Sequence, residues 1–173
     1  NIYGASKLAG ENAVIKLGGK YLIFRTSWVY DAYGKNFLNS MLGLGAKHEI
    51  LKVVSDQYGA PTYAPHLAYS TIAGIETAMA QINFPSGIYN LCSAGETSWY
   101  GFAEEIFTQA HKFGIVLKLK NLESIPATQY PLPTPRPYNS RLNCAKAQAI
   151  LGISLPDWRV GICEAMKEKQ QCI

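Results

Sequence analysis

The stretch Leu17-Gly18-Gly19-Lys20-Tyr21-Leu22-Ile23-Phe24-Arg25-Thr26-Ser27-Trp28 decides the fold class of this chain. The pair Gly18-Gly19 ends a helical pattern over residues 3–17, because glycine readily adopts the backbone conformation that stops a helix. Residues 21–24 form a short apolar run, which is typical of a strand buried inside a parallel sheet. Residues 25–28 then follow the carboxyl end of that strand, where open α/β sheets bind their ligands.

The rest of the chain repeats this alternation of helices and strands. Helical patterns occur in five further segments: residues 36–46, 65–80, 98–113, 143–151 and 156–169. Strand patterns occur in three further segments: residues 50–54, 87–91 and 115–119. The alternation predicts an α/β fold, in a single domain that spans residues 1–173.

Two segments are predicted to be loops, and one helix has a predicted buried side. Residues 56–64 contain Gly59 and Pro61, and residues 121–137 contain five prolines, which break regular structure. In the helix over residues 65–80, the apolar spacing predicts a buried side made of Leu67, Ile72, Ile75 and Met79.

The composition excludes several classes of protein. The chain is 48% hydrophobic but only 16% charged, with a net charge of +4; a soluble domain usually has about 25% charged residues. The low charge is either ordinary scatter or the mark of a surface that packs on another part. The basic residues form no run, so we expect no nucleic-acid partner. There is no apolar stretch of membrane-spanning length and no signal peptide, so we expect a cytoplasmic protein without a membrane partner.

The cysteines and histidines do not have the spacing of a metal site. A zinc site needs closely spaced ligand pairs, whereas these residues are scattered along the chain: Cys92, Cys144, Cys163, Cys172, His48, His66 and His111. We therefore expect no bound metal, and reduced, partly buried thiols.

The most informative pair of polar residues is Tyr3 and Lys7, four positions apart in the first predicted helix. Side chains at i and i+4 lie on the same face of a helix, so both can point into one pocket. A nearby ammonium group stabilises a phenolate, which helps a tyrosine to exchange a proton with a carbonyl oxygen. The spacing alone is also compatible with an ordinary amphipathic helix that carries an exposed lysine.

The sequence around this pair resembles the dTDP-4-dehydrorhamnose reductases, a family of extended short-chain dehydrogenases/reductases. The similarity covers nearly the whole chain, but only the C-terminal part of the family. It rests on these segments: residues 3–11 (YGASKLAGE), 24–30 (FRTSWVY), 36–37 (NF), 56–62 (DQYGAPT), 87–91 (GIYNL), 97–100 (TSWY), 136–142 (RPYNSRL) and 155–158 (LPDW).

The resemblance implies a partial Rossmann-like fold that keeps the substrate-binding region and lacks the N-terminal dinucleotide-binding half. No G-x-G-x-x-G turn follows a strand in this chain. The family's catalytic Ser or Thr would also precede Tyr3. We therefore expect the cofactor site, for NADPH or NADH, to be incomplete and the isolated chain to be inactive.

The resemblance also implies roles for six residues. Tyr3 and Lys7 would be catalytic and would contact the cofactor, and Thr26 and Ser27 would contact its nicotinamide end or merely end the strand. Trp28 would be a platform for the deoxysugar ring, or else a core tryptophan. Arg136 would bind the nucleotide part of the substrate through its guanidinium fork, or else form a structural ion pair.

The implied reaction is hydride transfer from the cofactor to the C4 carbonyl of dTDP-4-dehydro-L-rhamnose, which gives dTDP-L-rhamnose. Two alternatives remain open: a non-catalytic binding module of the same fold, and a reductase or epimerase for another nucleotide sugar. Whatever the function, we expect the open edge of the strand predicted over residues 21–24 to be covered by another part of protein. That part is a second copy in a homo-oligomer or the N-terminal half.

Overall fold

The computed structural model describes residues 1–131, 134 and 136–171, and it alternates helices with short strands. The six α-helices are α1 (Ile2–Leu17), α2 (Phe37–Gly45), α3 (Ala64–Ala80), α4 (Trp99–Lys112), α5 (Ala145–Leu151) and α6 (Trp158–Gln171). The eight strands are β1 (Leu22–Arg25), β2 (Val29–Tyr30), β3 (Ile50–Val54), β4 (Tyr58–Gly59), β5 (Thr62–Tyr63), β6 (Gly87–Asn90), β7 (Thr97–Ser98) and β8 (Asn121–Ile125).

Most strand pairs in the described part of the chain are parallel. β1 pairs with β6, with Leu22 opposite Gly87 and Arg25 opposite Asn90. The pairs β3–β8 and β2–β5 are also parallel, whereas β4 and β7 are antiparallel. The predicted α/β class with parallel strands is confirmed.

The helix boundaries follow from local capping. Asn1, Asn36 and Ser98 each accept a hydrogen bond from the backbone N–H three residues later, which satisfies a donor that the first turn leaves free. Gly18 ends α1 with φ 71°, a backbone conformation that residues other than glycine rarely adopt.

The apolar core has two parts. The larger part is rich in aromatic residues: Tyr30 and Tyr63 are buried together with Phe102 of α4 and Trp158 of α6. The smaller part lies between α3, α5 and β6 and includes Tyr89, Leu91 and Leu151. Together they hold β1 and the segment that follows it in a fixed place, which positions the candidate site.

Three of the predicted loop and strand assignments are wrong. Residues 115–119 are not a strand, and the strand is β8, inside the segment assigned to a proline-rich loop. The prolines of that segment begin only at Pro126, so residues 121–125 are free to pair with β3. Pro133 and Pro135 lie outside the described residues. The loop predicted over residues 56–64 likewise contains the short strands β4 and β5.

The predicted buried side of α3 is also wrong. Ile72, Ile75 and Met79 are exposed, and the helix instead buries Gly74 and Ala78; only Leu67 packs partly against the core. The small residues allow the close approach of α3 to its neighbours. The larger apolar side chains remain on an outward face.

Helix α1 is the most exposed element of the described chain. All of its residues except Glu11 are exposed to solvent. Strand β1, which follows it, pairs with β6 on one side, and within the described residues nothing pairs with its other edge. Among the helices of the described residues, none combines the length and the apolar character that a membrane span requires.

Candidate active site

The side chains of Tyr3 and Lys7 lie together at the start of α1. The Asn1 side chain fixes the first turn by accepting a 2.8 Å hydrogen bond from the Gly4 N–H. The Lys7 Nζ lies 5.5 Å from the centre of the Tyr3 ring. The expectation that both side chains occupy one face of one helix is therefore confirmed.

A cleft of about 540 Å³ opens between α1 and the carboxyl end of β1. Tyr3, Lys7 and Thr26 all line it, so the structure brings together three of the residues singled out from the sequence. Leu142, which comes from a segment remote in sequence, lines the same cleft. Because Tyr3 is 70% exposed, its hydroxyl is accessible to a ligand in this cleft.

An ion pair links α1 to β1 at the side of this cleft. The Arg25 guanidinium donates two hydrogen bonds to the Glu11 carboxylate, from Nε at 2.8 Å and from Nη2 at 2.5 Å. This bidentate geometry fixes the orientation of both groups. Hydrogen bonding to Arg25 holds the pKa of Glu11 below its usual range, so the carboxylate remains ionised near neutral pH. Glu11 lies one turn beyond Lys7, so the pair holds the helix face that carries Tyr3 and Lys7 against the strand end.

Ser27 and Trp28 follow Thr26 in the chain but do not line this cleft. The Ser27 Oγ is buried and has no hydrogen-bond partner among the described residues. Trp28 has a φ of 50°, in the left-handed region that non-glycine residues rarely enter. Such backbone strain persists only where the surrounding structure imposes it, and it is frequent at functional sites.

The Trp28 ring is held by its neighbours. It stacks on Trp99 with 3.7 Å between ring centres and an angle of 14° between the planes. A Cβ atom at Gly59 would come within 2.6 Å of the Trp28 ring, so this contact requires glycine. Trp99 therefore occupies one face of the indole, Gly59 lies against the same ring, and Trp28 is partly buried against the core. A sugar platform at Trp28 would have only the ring surface that remains.

Arg136 lines a second cleft, which Trp99 also lines. Its guanidinium lies 5.9 Å from the centre of the Trp99 ring. With Phe37, Gln57 and Tyr130 it lines a cleft of about 390 Å³. Arg136 is exposed, and no ion pair engages it among the described residues. Its charge is thus available to an anionic group, and stacked aromatic rings connect it to Trp28.

Sequence reasoning missed two features of this site. The Glu11–Arg25 pair had a partial signal, since Glu11 is four residues after Lys7 and Arg25 ends the decisive strand. The position of Leu142 had none, because it depends on how a segment more than a hundred residues away packs against α1. The described residues hold no group of three or more His, Cys, Asp or Glu side chains arranged to bind a metal ion.

Comparison with known proteins extends these observations to the family. Residues 1–171 match the family described as the RmlD substrate binding domain. The dTDP-4-dehydrorhamnose reductase of Escherichia coli (strain K12) is 46% identical over 168 residues, which cover 97% of this chain and 56% of that protein. The Burkholderia thailandensis protein of the same name is 47% identical over 170 residues, covering 94% of this chain and 57% of that protein.

A solved structure agrees with the sequence relatives. The crystal structure of dTDP-4-dehydrorhamnose reductase from Bacillus anthracis str. Ames in complex with NADP superposes with a TM-score of 0.86 at 34% identity. The superposition covers 97% of this chain and 56% of that one. The chain thus spans a little over half the length of these relatives, and the resemblance identified from its motifs is confirmed. This chain belongs to the RmlD substrate binding domain family.

Proposed function

We propose that this chain is the substrate-side part of a reductase that converts dTDP-4-dehydro-L-rhamnose into dTDP-L-rhamnose. The observation that carries the proposal is the placement of Tyr3, Lys7 and Thr26 on one cleft, with Lys7 Nζ 5.5 Å from the Tyr3 ring centre. The similarity to two dTDP-4-dehydrorhamnose reductases at 46% and 47% identity supports the choice of substrate.

In this proposal Tyr3 is the general acid. Its exposed hydroxyl donates a proton to the sugar oxygen at C4 as negative charge develops there. The Lys7 ammonium stabilises the phenolate that remains, because an opposite charge nearby favours the ionised form. The Glu11–Arg25 pair keeps the helix in the orientation that this proton transfer needs.

The residues of the first cleft fit one end of a nicotinamide cofactor. NADPH or NADH, when bound, supplies the hydride. Lys7 can donate to a ribose hydroxyl, and Thr26 and Ser27 lie at the carboxyl end of β1, where such ligands bind in α/β sheets. The Ser27 Oγ does not line this cleft; it is buried and has no hydrogen-bond partner among the described residues, so it is a group that a further segment of protein would satisfy.

The second cleft fits the nucleotide part of the substrate. The Arg136 guanidinium matches the geometry of a diphosphate, and Phe37, Trp99 and Tyr130 offer aromatic surface for a base. In this arrangement the sugar lies between the clefts, near the exposed surface of Trp28. Arg136 and Trp28 therefore contribute substrate binding, not proton transfer.

The function is tested with a joined chain, in which the part of the Escherichia coli relative that precedes its matched region is fused to Asn1. We expect the joined chain to oxidise NADPH or NADH with dTDP-4-dehydro-L-rhamnose and to release dTDP-L-rhamnose. The Escherichia coli protein itself is the positive control.

Two other outcomes of this assay would contradict the proposal. Turnover only with UDP-sugars would favour a reductase or epimerase for another nucleotide sugar. Binding of the keto-sugar nucleotide without turnover, in a joined chain that binds the cofactor, would favour a non-catalytic binding module.

We further propose that the isolated chain forms a homo-oligomer, most simply a two-fold dimer. This chain exposes three surfaces: helix α1, the edge of β1 that no described residue pairs with, and an apolar face of α3 formed by Tyr69, Ile72, Ile75 and Met79. Exposed apolar faces and open strand edges favour association with another chain. In a longer protein, the part that this chain does not match would cover them instead.

Light scattering on the isolated and the joined chains distinguishes these two ways of covering the surface. We expect the isolated 19.0 kDa chain to have twice that mass or more in solution. A folded monomer that persists at high concentration would exclude the oligomer.

A further inference from the structure

A pair of cysteines far apart in sequence meets beside the candidate active site. Cys92 follows strand β6, and Cys144 immediately precedes helix α5, 52 residues later. Their Sγ atoms are 3.6 Å apart, which is van der Waals contact for two sulfur atoms. A disulfide bond requires an Sγ–Sγ distance of about 2.05 Å, so small rotations of the two side chains must bring the sulfurs together.

The surroundings of the pair allow an oxidant to reach it. Cys92 is buried, but Cys144 is half-exposed, and both line an open cleft of about 380 Å³ together with Ser93, Arg141 and Gln148. Cys144 is therefore the sulfur that a molecule entering the cleft meets first. Neither cysteine contributes to the proposed proton transfer or to the cofactor contacts.

We propose that Cys92 and Cys144 are a thiol-oxidation site. A small disulfide such as oxidised glutathione would oxidise the two thiols reversibly to a Cys92–Cys144 disulfide. The inference rests on the geometry of this pair and does not depend on the proposed reductase activity.

The reaction has two exchange steps. The Cys144 thiolate attacks one sulfur of oxidised glutathione, which leaves glutathione bound to Cys144 and releases one glutathione thiolate. Cys92 then loses its proton and attacks the Cys144 Sγ, which releases the second glutathione. The two cysteines are oxidised to one disulfide, and one oxidised glutathione is reduced to two thiols.

The difference between the two sulfurs assigns this order. Burial, together with the neighbouring Cys144 sulfur, raises the pKa of Cys92 to about 12, so its thiol stays protonated near neutral pH. Cys92 is thus the resolving cysteine, and its attack is the slower of the two steps.

The disulfide would act on the candidate active site through Leu142. This residue lies two positions before Cys144 and lines both the cysteine cleft and the cleft of Tyr3 and Lys7. A Cys92–Cys144 bond would tie the segment of Leu142 to the end of β6, and so fix one wall of the cleft that holds Tyr3.

The test uses the 173-residue chain with Cys163→Ser and Cys172→Ser, so that only Cys92 and Cys144 remain. Cys163 is half-buried, and Cys172 lies outside the described residues. After incubation with oxidised glutathione and alkylation under denaturing conditions, we expect an intact mass lower by two hydrogens, no alkylated thiol and no retained glutathione. Peptide mapping should find residues 92 and 144 in one linked pair, and dithiothreitol should restore both thiols.

Two further variants test the order of attack. In the same background, Cys92→Ala should retain one glutathione on Cys144, and Cys144→Ala should retain none. Two freely alkylated thiols after oxidation, a stable adduct while Cys92 is present, or disulfides only between separate chains would each overturn the proposal. The chain that carries only Cys163→Ser and Cys172→Ser keeps both Cys92 and Cys144. It therefore tests the disulfide even if one of the alanine variants fails to fold.

Discussion

Replacing Tyr3 with phenylalanine is expected to lower the kcat of the joined chain by about a hundredfold or more. Removing a positioned general acid usually costs a factor of about 10² to 10⁴. The substitution deletes only the hydroxyl oxygen, and Tyr3 is 70% exposed at the start of α1, so the fold should not change. Steady-state kinetics with dTDP-4-dehydro-L-rhamnose measures the effect.

The control is Tyr69→Phe on helix α3. Tyr69 is 73% exposed in this chain, close to the 70% of Tyr3, and it does not line the cleft of Tyr3 and Lys7; phenylalanine also keeps the ring that a surface covering α3 would contact. We expect the control to keep kcat within about twofold, the range of an ordinary surface substitution. Since the proposed role of Tyr3 is proton transfer, its loss should affect kcat far more than KM. A near-normal kcat in Tyr3→Phe would exclude the general acid role.

The elements that the sequence predicted well have local causes. Helix α2 begins after the capping residue Asn36, α4 begins after Ser98, and α1 ends at Gly18, each close to the predicted boundary. Strands β1 and β3, which are largely apolar, and β6, which has Ile88 and Tyr89 between Gly87 and Asn90, were likewise predicted to within one residue. For the helix ends, the deciding hydrogen bonds lie within a few residues of the boundary.

The elements that the sequence did not predict depend on distant partners. Strand β8 contains Asn121, Glu123 and Ser124, so it lacks an apolar run, and it exists because β3 offers a parallel edge 71 residues earlier. The strands β4 and β5 are two residues long, and no periodicity can be detected over that length. The outward side of α3 follows from which face of the helix meets β5 and α5, which the apolar spacing alone does not decide.

In the candidate site too, the contacts within one element could be predicted from the sequence, and those between distant elements could not. The proximity of Tyr3 and Lys7 was predictable because both lie on one helix, four residues apart. The stacking of Trp28 on Trp99 and the meeting of Arg25 with Glu11 were not, because each joins two elements whose relative position is set by the whole core. For the same reason, the resemblance left Trp28 as either a sugar platform or a core tryptophan, and only the structure shows that Trp99 and Gly59 pack against its ring.

The second large effect concerns the cofactor. We expect the isolated chain to show no micromolar binding of NADPH or NADH and no turnover of the keto-sugar. A dinucleotide gains most of its phosphate contacts from a glycine-rich turn and the amides of a helix N-terminus, and the sequence has no such turn after a strand. Tyr3, Lys7, Thr26 and Ser27 could contact only the nicotinamide end, too little of the cofactor to hold it alone.

The joined chain is the matched comparison, since it contains the same residues 1–173 together with the part of the Escherichia coli relative that precedes its matched region. We expect it to bind the cofactor, and Lys7→Met in it to weaken binding by removing the ammonium group at the ribose. The relative affinities for NADPH and NADH would be set by the added part, because the residues that distinguish the two cofactors follow the second strand of a dinucleotide-binding fold.

Calorimetric titration of NADPH into the isolated chain and into the joined chain tests the central claim most directly: residues 1–173 provide the catalytic pair and the substrate side, and another part holds the dinucleotide. The account predicts micromolar binding by the joined chain and none in that range by the isolated chain. Micromolar binding of NADPH by the isolated 173-residue chain would contradict it.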